Sequence, residues 1–155
     1  MRYFLLDKVT EHVPGQSAAG IKNVTLTDQV LHDHFPDFPV FPGTLVIEAM
    51  AQLGGFLLEM GNPNPFERAV LAQIDKAKFH APAGPGDQLK LRVQVQQRLD
   101  AAAQIEAEAW VEARSVARAR LTFMLRHIES EPLREQRERL YALWTRGLRA
   151  PGELA

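Results

Sequence analysis

The chain has 155 residues, of which 46% are hydrophobic and 24% are charged, and its formal net charge at pH 7 is −1. This length suits one domain with its own core, and the near-neutral charge gives no basis for binding nucleic acid or an anionic membrane. Because the chain contains no cysteine, disulfide frameworks, thiolate nucleophiles and zinc sites built from sulfur are excluded.

The N-terminal part of the chain is predicted to hold a short first element and one strand. Residues 3–9 are consistent with a short helix or turn, and residues 18–26 predict a strand. The run MRYFLLDKVTEHVPG has too short an apolar stretch, and acidic residues too early, for a signal peptide. We therefore expect a cytoplasmic protein that has no membrane partner.

The next stretch, HDHFPDFPVFPGTLVIEAMAQLGGF from His32 to Phe56, joins a turn-forming loop to an apolar helix. Its prolines disfavour helix, whereas residues 45–60 are apolar on nearly every side, which indicates a buried helix. The helix is too short and too interrupted to span a bilayer. Glu48 lies about one turn inside it, where an ionised carboxylate is costly without a partner or a chemical role.

Two other residues of this stretch point to proton transfer. Gly43 begins the helix with an unpaired N–H at the positive end of the helix dipole, and it has no side chain to block a ligand oxygen. His34, on the preceding loop, is an imidazole that is largely neutral near pH 7. With Glu48 they suit removal of a proton α to a carbonyl and protonation of a leaving hydroxyl. Taken singly, His34 is more often a structural loop histidine, and Glu48 a carboxylate paired with an arginine.

Beyond the helix the sequence predicts an antiparallel sheet. Residues 69–74 form a short strand candidate, and apolar and polar residues alternate over 89–96, 105–112 and 117–125. This alternation predicts three consecutive strands with one apolar and one solvated face, an α+β arrangement around the helix. The inner face carries four small residues that leave room for the helix: Ala107, Ala109, Ala117 and Ala119. On the outer face we expect pairing among Glu106, Glu108, Arg118 and Arg120.

The end of the chain predicts a further helix. We place one domain at residues 1–129 and treat residues 130–155 as its C-terminal helical extension. A proline follows Glu131, as is common at a helix start. The apolar face of this helix would consist of Leu133, Leu140, Tyr141, Trp144 and Leu148. Such a face would cover the chain's own sheet or a subunit interface. Alternatively, it would offer a docking site to a partner.

The motifs HFPxxPxxPG and IEAMAQ, together with residues 5–9, 21–25, 74–79 and 85–89, carry a family resemblance. In combination they resemble the FabZ-type 3-hydroxyacyl-acyl-carrier-protein dehydratases, which have the hotdog fold, over roughly residues 5–125. The resemblance implies a homodimer or a trimer of dimers, because in that family the base and the acid of one site come from different protomers. It also implies acyl carrier protein as the partner that carries the substrate.

The same resemblance implies dehydration of a (3R)-3-hydroxyacyl thioester to the trans-2-enoyl thioester, in fatty-acid or related acyl-chain biosynthesis, with no cofactor and no metal. His34 would remove the C2 proton, and Glu48 of another chain would protonate the leaving hydroxyl. The N–H of Gly43 would polarise the thioester carbonyl, and Gln52 would hold Glu48 or line the site. The aromatic residues expected to line an acyl tunnel, or else to belong to the core, are Phe38, Phe41 and Phe56.

Some positions depart from the family pattern. Asp37 stands where the family has glycine, and aspartate is among the few residues that tolerate a positive φ. The pair after Phe79 is not basic, and residues 99–102 lack a basic hairpin. These changes predict a pathway-specific paralogue whose carrier would bind a patch formed by Lys76, Lys78, Lys90 and Arg98.

Alternatives to a dehydratase remain open on the sequence alone. A hotdog thioesterase would use Glu48 to activate water, and a non-catalytic subunit would bind an acyl chain or a partner. A zinc site at His32 and His34 lacks a third ligand in the sequence. A pure scaffold has no use for a buried acid, so retention of His34 and Glu48 favours an enzyme.

Overall fold

The computed structural model describes residues 3–148, which form a curved antiparallel sheet and two α-helices. In chain order the elements are β1 (Lys8–Val13), β2 (Ser17–Asn23), α1 (Gly43–Glu59), β3 (Glu67–Phe79), β4 (Gln88–Arg98), β5 (Ala102–Val111), β6 (Arg114–His127) and α2 (Glu131–Trp144). Hydrogen-bonded neighbours in the sheet follow the order β1-β2-β4-β5-β6-β3. The α1 helix packs against strands β2 to β6, so the predicted α+β arrangement is confirmed.

Close packing of α1 on the sheet depends on small residues at the contact. A Cβ added at Gly54 would lie 3.1 Å from the ring of Phe123 and 3.2 Å from Ile105, so the helix face there is already in contact with the strands. The four alanines predicted on the inner face are all buried: Ala107, Ala109, Ala117 and Ala119. The sheet therefore accommodates a helix whose own side chains, such as Leu53 and Phe56, are fully buried.

The outer face of the sheet carries the predicted ion pairs. Glu106 lies opposite Arg120, with 2.6 Å between carboxylate and guanidinium, and Glu108 lies opposite Arg118 at 3.3 Å. All four side chains are more than one-third exposed, so each pair contributes at most about 1 kcal/mol. Both pairs are consistent with the register of β5 against β6.

Two predicted elements of the sheet differ from the structure. The helix or turn predicted at residues 3–9 is wrong, because Lys8–Val13 forms the edge strand β1 on β2. A bulge between Val9 and Glu11 breaks the alternation of buried and exposed side chains, which removes the sequence signal. The strand predicted at residues 69–74 extends over Glu67–Phe79; its second half is exposed on both faces and therefore shows no hydrophobic alternation.

The predicted C-terminal helix is confirmed, and it packs on its own chain at the C-terminal end of α1. Tyr141 donates a 2.7 Å hydrogen bond to Glu59, which also accepts from the N–H of Ala69 and the guanidinium of Arg68. Burial, and then the negative charge of Glu59, raise the pKa of Tyr141 well above its usual value. The rings of Tyr141 and Phe56 meet edge to face with centroids 5.2 Å apart. Residues 149–155 of the extension lie outside the described part.

Candidate active site

His34 lies on a tightly closed loop that leads into α1. Its Nδ1 lies 2.7 Å from the carbonyl oxygen of Val40, and the N–H of Val40 donates back to the carbonyl of His34 at 2.7 Å. Because a carbonyl only accepts, Nδ1 carries the ring proton, and Nε2 of the neutral imidazole keeps its lone pair. The loop therefore holds His34 in the tautomer of a proton acceptor.

The tip of this loop is a two-way hydrogen-bonded turn. Phe35 and Phe38 exchange backbone hydrogen bonds at 3.0 Å in both directions, and the His34–Phe35 peptide bond is cis. Asp37, between them, has a φ of +62°, a conformation that aspartate tolerates better than most side chains. This explains why aspartate fits at a position where the family resemblance leads us to expect glycine.

Gly43 opens α1 directly after Pro42, with its N–H at the positive end of the helix. Within residues 3–148 this N–H has no hydrogen-bond acceptor, whereas the N–H groups of Leu45 and Val46 both donate to Pro42. A Cβ at this position would lie 2.8 Å from the ring of Phe79, so any larger residue would have to displace that ring. An oxygen that approaches the free N–H would meet a partial positive charge.

His34 and Gly43 line one cavity of about 540 Å³. Phe41, which is 2% exposed, contributes to its wall, together with Phe79 and His80. Phe38 lies outside this lining and is 69% exposed, while Phe56 is part of the core. The structure thus places the imidazole of His34 and the N–H of Gly43 at one cavity.

Glu48 is half-buried on α1 and has one fixed hydrogen-bond donor. Gln52, one turn later, donates from Nε2 to Glu48 at 3.0 Å, as their i, i+4 spacing predicts. The backbone of the N-terminal segment holds the side-chain amide of Gln52. The N–H of Leu5 donates to Oε1 of Gln52, and Nε2 of Gln52 also donates to the carbonyl of Tyr3, both at 2.9 Å. Burial, and then the negative charge of Glu48, raise the pKa of Tyr3.

Glu48 and Gln52 line a second cavity, of about 890 Å³, that does not include His34. Its other lining residues come from the N-terminal segment and from α2: Tyr3, Phe4, Gln136, Arg137, Arg139, Leu140, Leu143 and Trp144. The surroundings of Glu48 in one chain are therefore less apolar than the helix sequence predicts. One chain brings His34 to Gly43 and Glu48 to Gln52, but it leaves these two pairs in separate cavities.

The contribution of α2 to the Glu48 cavity is what sequence reasoning misses. The periodicity of Leu140 and Trp144 indicates an apolar helix face, but which element that face meets depends on packing between distant parts of the chain.

Two other findings concern metal ligands and membrane spans. Among residues 3–148, no group of three or more histidine, aspartate or glutamate side chains is placed to hold a metal ion. No helix of the described part is long and apolar enough to cross a membrane.

Comparison with known proteins identifies the family. The model of the FabA-like domain matches residues 1–120. The chain belongs to the FabA-like domain family. Several of its relatives are named 3-hydroxyacyl-[acyl-carrier-protein] dehydratase FabZ. The FabZ of Geobacter metallireducens is 45% identical over 93 residues, which cover 59% of this chain and 62% of that protein. The FabZ of Bacillus licheniformis is also 45% identical over 93 residues, covering 60% and 65%.

Each of these matches spans less than two thirds of the relative's own length. Among solved structures, a hot-dog-like protein from Thermanaerovibrio acidaminovorans superposes with a TM-score of 0.61 at 19% identity, covering 89% of this chain and 93% of that one. A Streptococcus mutans protein bound to acetyl-CoA gives 0.65 at 15% identity, covering 84% and 96%. These likenesses confirm the hotdog fold of this FabA-like protein. Its α2 helix lies beyond the segment that the family model matches.

Proposed function

We propose that this FabA-like protein dehydrates (3R)-3-hydroxyacyl thioesters to trans-2-enoyl thioesters in fatty-acid or related acyl-chain biosynthesis. The observation that carries this proposal is the hydrogen bond between Nδ1 of His34 and the carbonyl of Val40, because it leaves Nε2 as a proton acceptor. The free N–H of Gly43 at the same cavity supports the proposal. The names of the curated relatives agree with it.

The proposed reaction is an elimination across C2 and C3 of the acyl chain. His34 removes a proton from C2, and the electron pair of that C–H bond forms the C2=C3 double bond. As negative charge develops on the thioester oxygen, the N–H of Gly43 stabilises it; one such donor is typically worth about 2.7–4 kcal/mol. The C3–O bond breaks, and Glu48 gives its proton to the departing hydroxyl, which leaves as water.

The proposed site requires two chains, because His34 and Glu48 line different cavities of one chain. The edge strand β3 supports self-association. It exposes the apolar side chains of Val70, Ile74 and Phe79, each at least 44% exposed, together with the unpaired backbone groups of a long sheet edge. We therefore infer a homodimer, or a trimer of such dimers, as the active form.

The proposed substrate carrier is acyl carrier protein. Exposed lysines on β3 and β4, Lys76, Lys78 and Lys90, offer a basic surface to an acidic partner. Arg98 contributes less to such a surface, because its guanidinium pairs with Glu67 at 3.0 Å. A carrier that binds through few basic contacts would be released readily at moderate ionic strength.

The direct test uses 3-hydroxyacyl thioesters of several chain lengths, each on acyl carrier protein and on coenzyme A. We expect formation of the enoyl product, measured by absorbance, and its loss in His34→Ala and Glu48→Gln. His32→Ala is the matched control, because this exposed histidine lies two residues away. Release of free thiol without enoyl product would assign a thioesterase instead. Absence of both reactions would assign a non-catalytic acyl-binding or assembly subunit.

A further inference from the structure

We propose that α2 of one chain receives the tip of the His34 loop of a second copy and thereby sets His34 of that copy against Glu48. This inference rests on the proposed two-chain site, but the surface concerned is separate from the exposed edge of β3. It gives a role to a helix that lies beyond the matched family segment.

The face of α2 that lines the Glu48 cavity has a largely apolar centre, which also includes Gln136, and two charged edges. With 3.6 residues per turn, Leu140, Leu143 and Trp144 lie between Arg139 on one edge and Arg137 on the other. Leu143 is 61% exposed in one chain, although it is flanked by buried apolar neighbours. This face thus presents apolar surface that the chain itself leaves uncovered.

The tip of the His34 loop has the complementary composition. Phe35 and Phe38 are 54% and 69% exposed, and their mutual backbone hydrogen bonds fix the turn that presents them. The carboxylates of Asp33 and Asp37 are exposed on either side of Phe35 in the sequence. The ring of Phe35 stacks on the imidazole of His34 with centroids 4.2 Å apart, and Phe38 stands on the same hydrogen-bonded turn. Single exposed apolar residues are ordinary, but two aromatic side chains on one turn are not, and we call this pair the apolar knob.

Charge complementarity identifies a second copy as the occupant. Arg137 and Arg139 both line the Glu48 cavity, and within residues 3–148 neither guanidinium forms an ion pair. Asp33 and Asp37 of a second copy would supply carboxylates to guanidiniums at both edges of the apolar face. An aromatic anchor in an apolar pocket with arginines at its rim is typical of protein interfaces.

The geometry links this contact to catalysis. Phe38 is four residues from His34 on a loop closed by the His34–Val40 hydrogen bonds, so the knob and the imidazole move together. Glu48 lines the same cavity as the α2 face. Seating the knob on α2 therefore brings the imidazole of the second copy towards Glu48. We assign α2 a positioning role rather than a catalytic one.

The test compares Phe38→Ser, Leu143→Ser and the double variant by sedimentation equilibrium without substrate. Both side chains are exposed in one chain, so the variants should fold. We expect the dissociation constant for self-association to rise at least about tenfold in each single variant, and the double variant to be no worse than either. The matched control is Leu99→Ser, at an apolar side chain that is 60% exposed between β4 and β5.

A second experiment removes the two positive charges at the edges of the α2 face. We expect Arg137→Gln combined with Arg139→Gln to weaken self-association and to flatten its dependence on salt, whereas Arg146→Gln should do neither. Unchanged association in either apolar single variant, additive losses in their double variant, or unchanged salt dependence in the arginine variant would overturn the inference. Enoyl formation that survives His34→Ala and Glu48→Gln would instead overturn the proposed function, so the two failures are distinguishable.

Discussion

Nδ1 of His34 lies 2.7 Å from the carbonyl oxygen of Val40, which places the proton of the neutral imidazole on Nδ1 and leaves Nε2 to accept a proton. An asparagine at this position can donate to the same carbonyl but cannot accept a proton at neutral pH. We therefore expect His34→Asn to keep the fold and to lower kcat by about 10²–10⁴-fold. The measurements are steady-state turnover and a urea unfolding curve. Turnover within twofold of the unmutated chain would show that His34 is only a structural residue of the loop.

Gln52 connects Glu48 to the N-terminal segment through three hydrogen bonds of 2.9–3.0 Å. We expect Gln52→Leu to lower kcat about tenfold, with a smaller change in KM, because Glu48 then loses its donor and the orientation that it provides. Gln96→Leu, at an exposed position on β4, serves as the control. An effect of equal size in both variants would attribute the loss to general destabilisation.

Tyr141 ties α2 to α1 through its 2.7 Å hydrogen bond to Glu59, whose side chain is 4% exposed. We expect Tyr141→Phe to lower the free energy of unfolding by about 1–3 kcal/mol, because a buried carboxylate then loses one of its donors. Urea denaturation measures this loss. Tyr3→Phe removes a phenol from a half-exposed ring and should change stability by only a few tenths of a kcal/mol, roughly the level of ordinary surface changes. Equal losses in the two variants would contradict a special role for the Glu59 contact.

His12 predicts a pH dependence of stability. Its ring meets Phe56 edge to face at 5.1 Å, its Nε2 has no partner within residues 3–148, and burial lowers its pKa below the usual 6.5. Between the folded and unfolded pKa values the unfolded state binds more protons, so stability decreases as the pH falls through 6.5. Below the folded pKa this contribution stops changing.

Replacing His12 by phenylalanine should remove this contribution. We expect the unfolding free energy of His12→Phe to vary less between pH 7.5 and pH 5 than that of the unmutated chain. The difference between the two variations should be roughly the contribution of one histidine. His32→Phe, at an exposed loop position, is the control. Identical pH profiles for the unmutated chain and for His12→Phe would show that His12 titrates alike in the folded and unfolded states.

The sequence predicts those parts of the fold in which one side of each strand is buried. Strands β4 to β6 alternate over most of their length, so their faces and the pairing of Glu106 with Arg120 follow from the pattern alone. The bulge in β1 and the double exposure of the second half of β3 erase this pattern. Both strands lie at the edges of the sheet. An edge strand is held by backbone hydrogen bonds to a single neighbour, and its side chains need not alternate between buried and exposed.

The sequence likewise predicts one part of the candidate site and not another. His34 and Gly43 are joined by a short proline-rich loop, and Glu48 and Gln52 are one helical turn apart, so local geometry predicts each pair. No local pattern predicts that His34 and Gly43 line a different cavity from Glu48 and Gln52, or that residues of α2 line the cavity of Glu48. Those facts depend on where a helix more than eighty residues away in sequence packs against α1.

Mixing two inactive variants tests the central claim that one chain supplies the base and another the acid. His34→Ala and Glu48→Gln are each purified, combined in equal amounts, allowed to exchange subunits, and assayed for enoyl formation. In a mixed dimer one of the two sites contains both His34 and Glu48, so random exchange should restore about a quarter of the unmutated activity. Activity that stays at the level of the separate variants after proven subunit exchange would contradict a site shared between chains.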